Sequence, residues 1–114
     1  MHELSIVTSM ISIVRENMAR HGAGRLKKIK IRVGEMTAVE PEALRFCFEV
    51  CAGGTDMEGV ILDIEEVPVR GQCIHCKNEF PLDRYLDSRC PVCGGESGGY
   101  VSGTELDIVS MEVE

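Results

Sequence analysis

Apolar residues at Leu4, Val7, Ile11, Val14 and Met18 recur every three or four positions, and Ile6, Met10 and Ile13 widen the stripe. Arg15, Glu16, Asn17 and Arg20 fill much of the other side, so the spacing predicts an amphipathic helix over about Glu3 to Arg20. Gly22 and Gly24 end it, and His21 falls where a helix C-terminus welcomes a cation, a solvated position. The period then drops to two. Ile29, Ile31 and Val33 alternate with Lys28, Lys30 and Arg32, which predicts a half-buried strand ending near Gly34. Pro41 fits the first turn of a second helix, with Glu40 and Glu42 at its positive end and Leu44, Cys47, Phe48 and Cys51 as its buried stripe. Gly53-Gly54 closes that helix. A second strand follows from Val60 to Glu65, before Pro68, and a last one from Glu105 to Val113. In the last strand Leu106 and Ile108 point opposite to Val109, Met111 and Val113, so alternation alone selects no buried side without a bulge.

Between those last two strands lies Cys73-Ile74-His75-Cys76, then thirteen residues, then Cys90-Pro91-Val92-Cys93. Two residues between cysteines let one tight turn aim both sulfurs at one point, and two such turns supply four thiolates. That is the closed tetrahedral shell of a structural zinc site, preferred over iron or a redox dithiol pair. Gly94 and Gly95 permit positive φ, so backbone N–H groups can fold back toward the sulfurs. Phe80, Leu82, Tyr85 and Leu86 are too few for an independent core, so metal supplies much of this module's stability, typically about 10–16 kcal/mol of apparent binding energy. Gly71, Gly98-Gly99 and Gly103 read as hinges. Cys47 and Cys51, four apart with Leu44 and Phe48, read as core packing rather than ligands. His75 reads as a solvated knuckle residue.

Helix, strand, helix, strand, insertion, strand predicts an α+β fold: a three-stranded sheet covered by two helices, with an inserted four-cysteine zinc-ribbon module. The expected domains are residues 1–69 plus 102–114, and residues 70–101.

At 114 residues the chain can hold one ordinary core and a small appended module. Its formal charge of −7 falls to about −9 when four thiolates and one Zn(2+) are counted, which opposes nucleic acid. The one basic cluster (Arg25, Lys27, Lys28, Lys30, Arg32) contains no aromatic residue and reads as a solvated strand face. The start, Met1-His2-Glu3, lacks the positive character of a secretory signal, and no run is long enough to span a membrane. A reducing, cytoplasmic setting is expected, where thiols stay available to metal. Gly22-Ala23-Gly24 lacks a third glycine and follows a helix, so it is no nucleotide loop. No nucleophile motif stands out, and histidines at positions 2, 21 and 75 offer no spaced pair for a catalytic metal. An enzyme is not expected.

The Met1 amine, the His2 amide and imidazole, and the Glu3 amide or carboxylate can chelate one ion, a nitrogen-rich set that suits Ni(II) or Cu(II). Bulky His2 favours retention of Met1. On position alone, however, His2 reads as a frayed terminus. The whole pattern changes the reading. Met1-His2-Glu3-Leu4-Ser5 opening a helix, Gly34-Glu35-Met36 after the first strand, the two Cys-x2-Cys pairs and the closing Glu112-Val113-Glu114 resemble the HypA/HybF family along the full length. The resemblance implies a nickel metallochaperone that helps assemble the [NiFe]-hydrogenase active site and, in some organisms, urease. It implies nickel on Met1, His2 and Glu3, and zinc on Cys73, Cys76, Cys90 and Cys93. It further implies a HypB-type GTPase and the [NiFe]-hydrogenase large subunit as partners, with monomer and homodimer both open. The competing reading is a zinc-ribbon adaptor for protein or nucleic acid.

Overall fold

The computed structural model describes residues 3–22, 24–82 and 89–114. In chain order the elements are α1 (Glu3–His21), β1 (Leu26–Gly34), a 3-10 turn (Glu35–Thr37), α2 (Pro41–Ala52), β2 (Ile61–Val67), β3 (Arg70–Cys73), β4 (Glu79–Pro81), β5 (Ser97–Ser102) and β6 (Leu106–Val113). They form one sheet of order β2-β1-β6 and a second of order β4-β3-β5. The chain divides into two compact units: Met1–Arg32, Val39–Glu65 and Asp107–Glu114 make the first, and Val33–Ala38 with Glu66–Leu106 the second. No helix among the described residues is long and apolar enough to cross a membrane.

In the first unit the predicted stripes become the core. Val7, Met10 and Val14 of α1 are buried, as are Leu44, Phe48 and Ala52 of α2 and Ile29 and Ile31 of β1. Full burial of each large side chain is worth about 1.5–3 kcal/mol, an upper bound because the unfolded chain already hides some of this surface. Leu4 and Ile13, both in the predicted α1 stripe, are instead 55% and 48% exposed. Cys47 and Cys51 flank the α2 stripe half-buried rather than lying within it. Pro41 opens α2 without a side-chain cap, and the Gly53 N–H donates to the Glu49 carbonyl at its end. His21 is exposed, and its Nδ1 lies 2.8 Å from the Asn17 carbonyl, which accepts from it.

Lys28, Lys30 and Arg32 of β1 are half-buried and paired. Lys28 meets Asp63 at 3.6 Å, while Lys30 and Arg32 reach Glu65 at 3.4 and 3.6 Å. The solvated basic face of the sequence reading is therefore an ion-pair ladder with β2. In β6 neither alternating set is buried: Ile108 and Met111, three apart, are half-buried and the rest are exposed.

In the second unit three strands stand where the pattern predicts only knuckles and hinges. β3 pairs antiparallel with β4 (Arg70 with Pro81, Gly71 with Phe80, Gln72 with Glu79) and with β5. Gly71 is thus a ladder residue and not a hinge. A Cβ there would strike the Ser97 hydroxyl and Leu82, so the requirement is close approach. Phe80 and Leu82 pack on the buried cysteines Cys73 and Cys90. Tyr85 and Leu86 lie outside the described residues. The Gly34 and Met36 N–H groups donate to the Glu105 and Gly103 carbonyls at 2.6 and 2.8 Å, which ties the 3-10 turn into this unit.

Candidate metal centre

The β3–β4 hairpin supplies the first knuckle as its turn, so Cys73 is fixed by strand pairing before Cys76 turns back toward it. Both knuckles repeat one hydrogen-bond scheme. Lys77 and Gly94 N–H donate to the Cys73 and Cys90 carbonyls at 3.1 and 2.8 Å, while Cys73 and Cys90 N–H donate to the Asn78 and Gly95 carbonyls at 2.9 and 2.7 Å. The His75 and Val92 N–H groups each donate to the sulfur two residues earlier, at 3.4 Å. This turn needs positive φ at its fifth residue, found at Lys77 (65°) and Gly94 (75°). Gly95 meets a different demand. It has no positive φ, and a Cβ there would lie 2.6 Å from His75 Cδ2, 3.1 Å from Cys73 Sγ and 3.3 Å from Cys93 Sγ.

The four cysteine sulfurs lie within 4.8 Å of one another. Cys73 Sγ is 3.3 Å from Cys93 Sγ, and Cys76 Sγ is 3.6 Å from Cys90 Sγ. A tetrahedral zinc ion with bonds of about 2.3 Å spaces its sulfurs about 3.8 Å apart, so the cluster fits such an ion with small adjustments. Cys73 and Cys90 are buried, and Cys76 and Cys93 exposed. The thiols are unequal in acidity. The Cys76 N–H lowers Cys73 against the effect of burial, with help from the His75 N–H and neighbouring thiols. At Cys90 burial works upward, but the Cys93 and Val92 N–H groups, Cys76 and Asn78 draw the thiol down to about 6. At Cys93 the Gly95 N–H works downward, but Cys73, Cys76, burial and Cys90 push it up to about 12. Four thiolates so close repel one another, so without a cation the cluster keeps a proton on Cys93.

Of the residues expected to hold nickel, Glu3 is described: it is half-buried and opens α1. Met1 and His2 lie outside the described residues. The sequence reading passed over Asn78. Its side chain donates to Cys90 Sγ at 3.7 Å while its carbonyl takes the Cys73 N–H, so it joins the two knuckles. Its place two residues after Cys76, matching Gly95 after Cys93, was the available signal. Glu35, within Gly34-Glu35-Met36, also bonds outside its own turn. Its carboxylate accepts from the Val69 N–H at 3.4 Å.

A family model described as "Hydrogenase/urease nickel incorporation, metallochaperone, hypA" matches residues 1–113. The protein named hydrogenase maturation factor HypA of Geobacter metallireducens is 41% identical over 114 residues, covering all of both chains. A solution structure of a HypA protein aligns with TM-score 0.73 and 25% identity, over 99% of this chain and 96% of the other. The solution structure of the Ni metallochaperone HypA from Helicobacter pylori aligns with TM-score 0.66 at 24% identity, over 99% and 97%, and supports the fold. Full-length agreement in sequence and fold makes this a metallochaperone chain and not an enzyme, and it belongs to the HypA family of nickel-incorporation proteins.

Proposed function

We propose that the chain carries Ni(II) on a chelate formed by the Met1 amine, the His2 amide and imidazole, and Glu3, while zinc on Cys73, Cys76, Cys90 and Cys93 holds the second unit together. The observation that carries this reading is the closed cysteine cluster. Its four sulfurs complete a tetrahedral shell and leave no position for a ligand from a recipient. A delivered ion needs a site that a partner can complete or open, and few protein-imposed ligands give that property. Nitrogen donors suit Ni(II), and their protons must leave on binding, so nickel affinity falls with pH. The recipient is the [NiFe]-hydrogenase large subunit, with a HypB-type GTPase acting in the same maturation step in the cytoplasm.

The test is a Ni(II) titration of zinc-loaded protein with a native N-terminus, beside His2→Ala and a variant extended at the N-terminus. One equivalent should bind to the native protein and be lost from both others, while zinc and fold persist. Equal binding by all three would remove the terminal chelate.

A further inference from the structure

The order β2-β1-β6 leaves β6 at an edge, joined to β1 on one side, and no described strand lies on its other side. An open edge is a row of N–H and C=O groups ready to pair with another strand, and proteins usually blunt it with lysine, proline or a covering element. β6 is eight residues long, and none of them is buried, basic or proline. Three of its apolar side chains reach water, Leu106 and Val109 each 39% and Val113 42% exposed. Its charge has one sign: Asp107 and Glu112 are exposed, and Glu114 follows, held by Lys27 at 3.8 Å.

That charge discriminates between occupants. Two copies paired antiparallel about Val109 and Ser110 would set Asp107 against Glu112 twice, and no shift of register brings a basic residue opposite either acid. Like charges directly opposite are destabilising in a sheet. We propose that β6 receives an extended segment of a partner protein as a fourth strand, carrying two basic residues five positions apart with apolar residues between them. The basic residues face Asp107 and Glu112. The apolar ones cover Val109, and main-chain hydrogen bonds complete the ladder. This interaction is separate from nickel binding.

The probe is a capped eight-residue peptide with two lysines five positions apart and valine and threonine between them. Saturable binding is expected, with slowed amide exchange across Leu106–Val113. A peptide with glutamate in place of both lysines should bind about tenfold more weakly, as two reversed cross-strand contacts imply. Val109→Lys should weaken the lysine peptide by about tenfold while zinc content and fold are kept. Two peptides N-methylated at alternate amides, one in each phase, keep the charge but block one hydrogen-bonding edge each, and one of them should fail to bind. Absent saturable binding, unchanged exchange in β6, or equal binding of both methylated peptides would overturn the proposal. Dimerisation of the protein that Val109→Lys abolishes would give the edge to a second copy and overturn it too.

Discussion

Gly94 and Gly95 are adjacent, follow the same cysteine and are glycine for different reasons, which makes them a direct test of the metal centre. Gly94 has φ +75°, and a Cβ there would meet nothing within 4 Å. Asparagine tolerates that conformation, and Lys77 already holds a side chain at the matching place in the first knuckle with φ 65°. Gly94→Asn is therefore expected to lower zinc affinity by less than about threefold. Gly95→Ala puts a methyl 2.6 Å from His75 Cδ2, 3.1 Å from Cys73 Sγ and 3.3 Å from Cys93 Sγ. The exposed His75 ring can swing aside, whereas the two sulfurs can retreat only by a few tenths of an ångström, out of the position that bonds of about 2.3 Å require. Disturbing the groups that orient ligands typically costs 10–100-fold in metal affinity, about 1.4–2.8 kcal/mol. Competition against a chromophoric chelator at neutral pH measures both variants. Adding His75→Ala to Gly95→Ala should recover only a minor part of the loss, because the sulfur contacts remain. A Gly95→Ala protein within about threefold of native, or Gly94→Asn equally damaged, would refute the account.

Four further outcomes are expected. Asn78→Ala removes a donor from Cys90 Sγ, so the Cys90 thiol of the metal-free protein should titrate higher than about 6 and zinc should exchange faster, read by thiolate absorbance and isotope exchange. Cys90 is depressed from 9.0 in the fold, so its contribution to the metal-free fold is present above about pH 9 and is lost as pH falls through about 6. Cys93 is pushed up to about 12, so zinc must displace its proton, and zinc affinity should keep rising with pH through neutrality in buffered titrations. Phe48→Ala, at a site 1% exposed, should cost about 3–5 kcal/mol by urea unfolding, and a loss below about 1 kcal/mol would remove Phe48 from the core.

The sequence was legible where one period ran long enough to commit a whole face. The α1 stripe has eight apolar residues, so losing Leu4 and Ile13 to solvent left its identity intact. β1 alternates cleanly because one face is core and the other meets carboxylates of β2. The second sheet was illegible because β4 has three residues and β5 begins Ser97-Gly98-Gly99, with no alternation to read. What makes β3 a strand is pairing with β4 across the knuckle turn and with the distant β5, and Gly71 looks like a hinge until its neighbours are known. At the metal centre the cysteine spacing revealed the sulfurs directly. It marked the place of Asn78 but not its role, which depends on a sulfur twelve residues away.

The sulfur arrangement also separates holding a metal from other uses of cysteine. A dithiol redox pair needs two neighbouring sulfurs facing each other, one of them an accessible thiolate. Here the close contacts cross between knuckles, 3.3 Å for Cys73 with Cys93 and 3.6 Å for Cys76 with Cys90. Ionisation and access also fall on different atoms. Cys90 ionises readily but is 3% exposed, whereas Cys93 is exposed but holds its proton. A divalent cation resolves both conflicts, because it deprotonates all four thiols and offsets their mutual repulsion. The completeness that makes the cluster a good structural centre makes it a poor carrier. Release would require breaking bonds to two buried sulfurs against N–H donors already in place. In a chain of this family, transport therefore falls to a different set of ligands, the role we propose for Met1, His2 and Glu3.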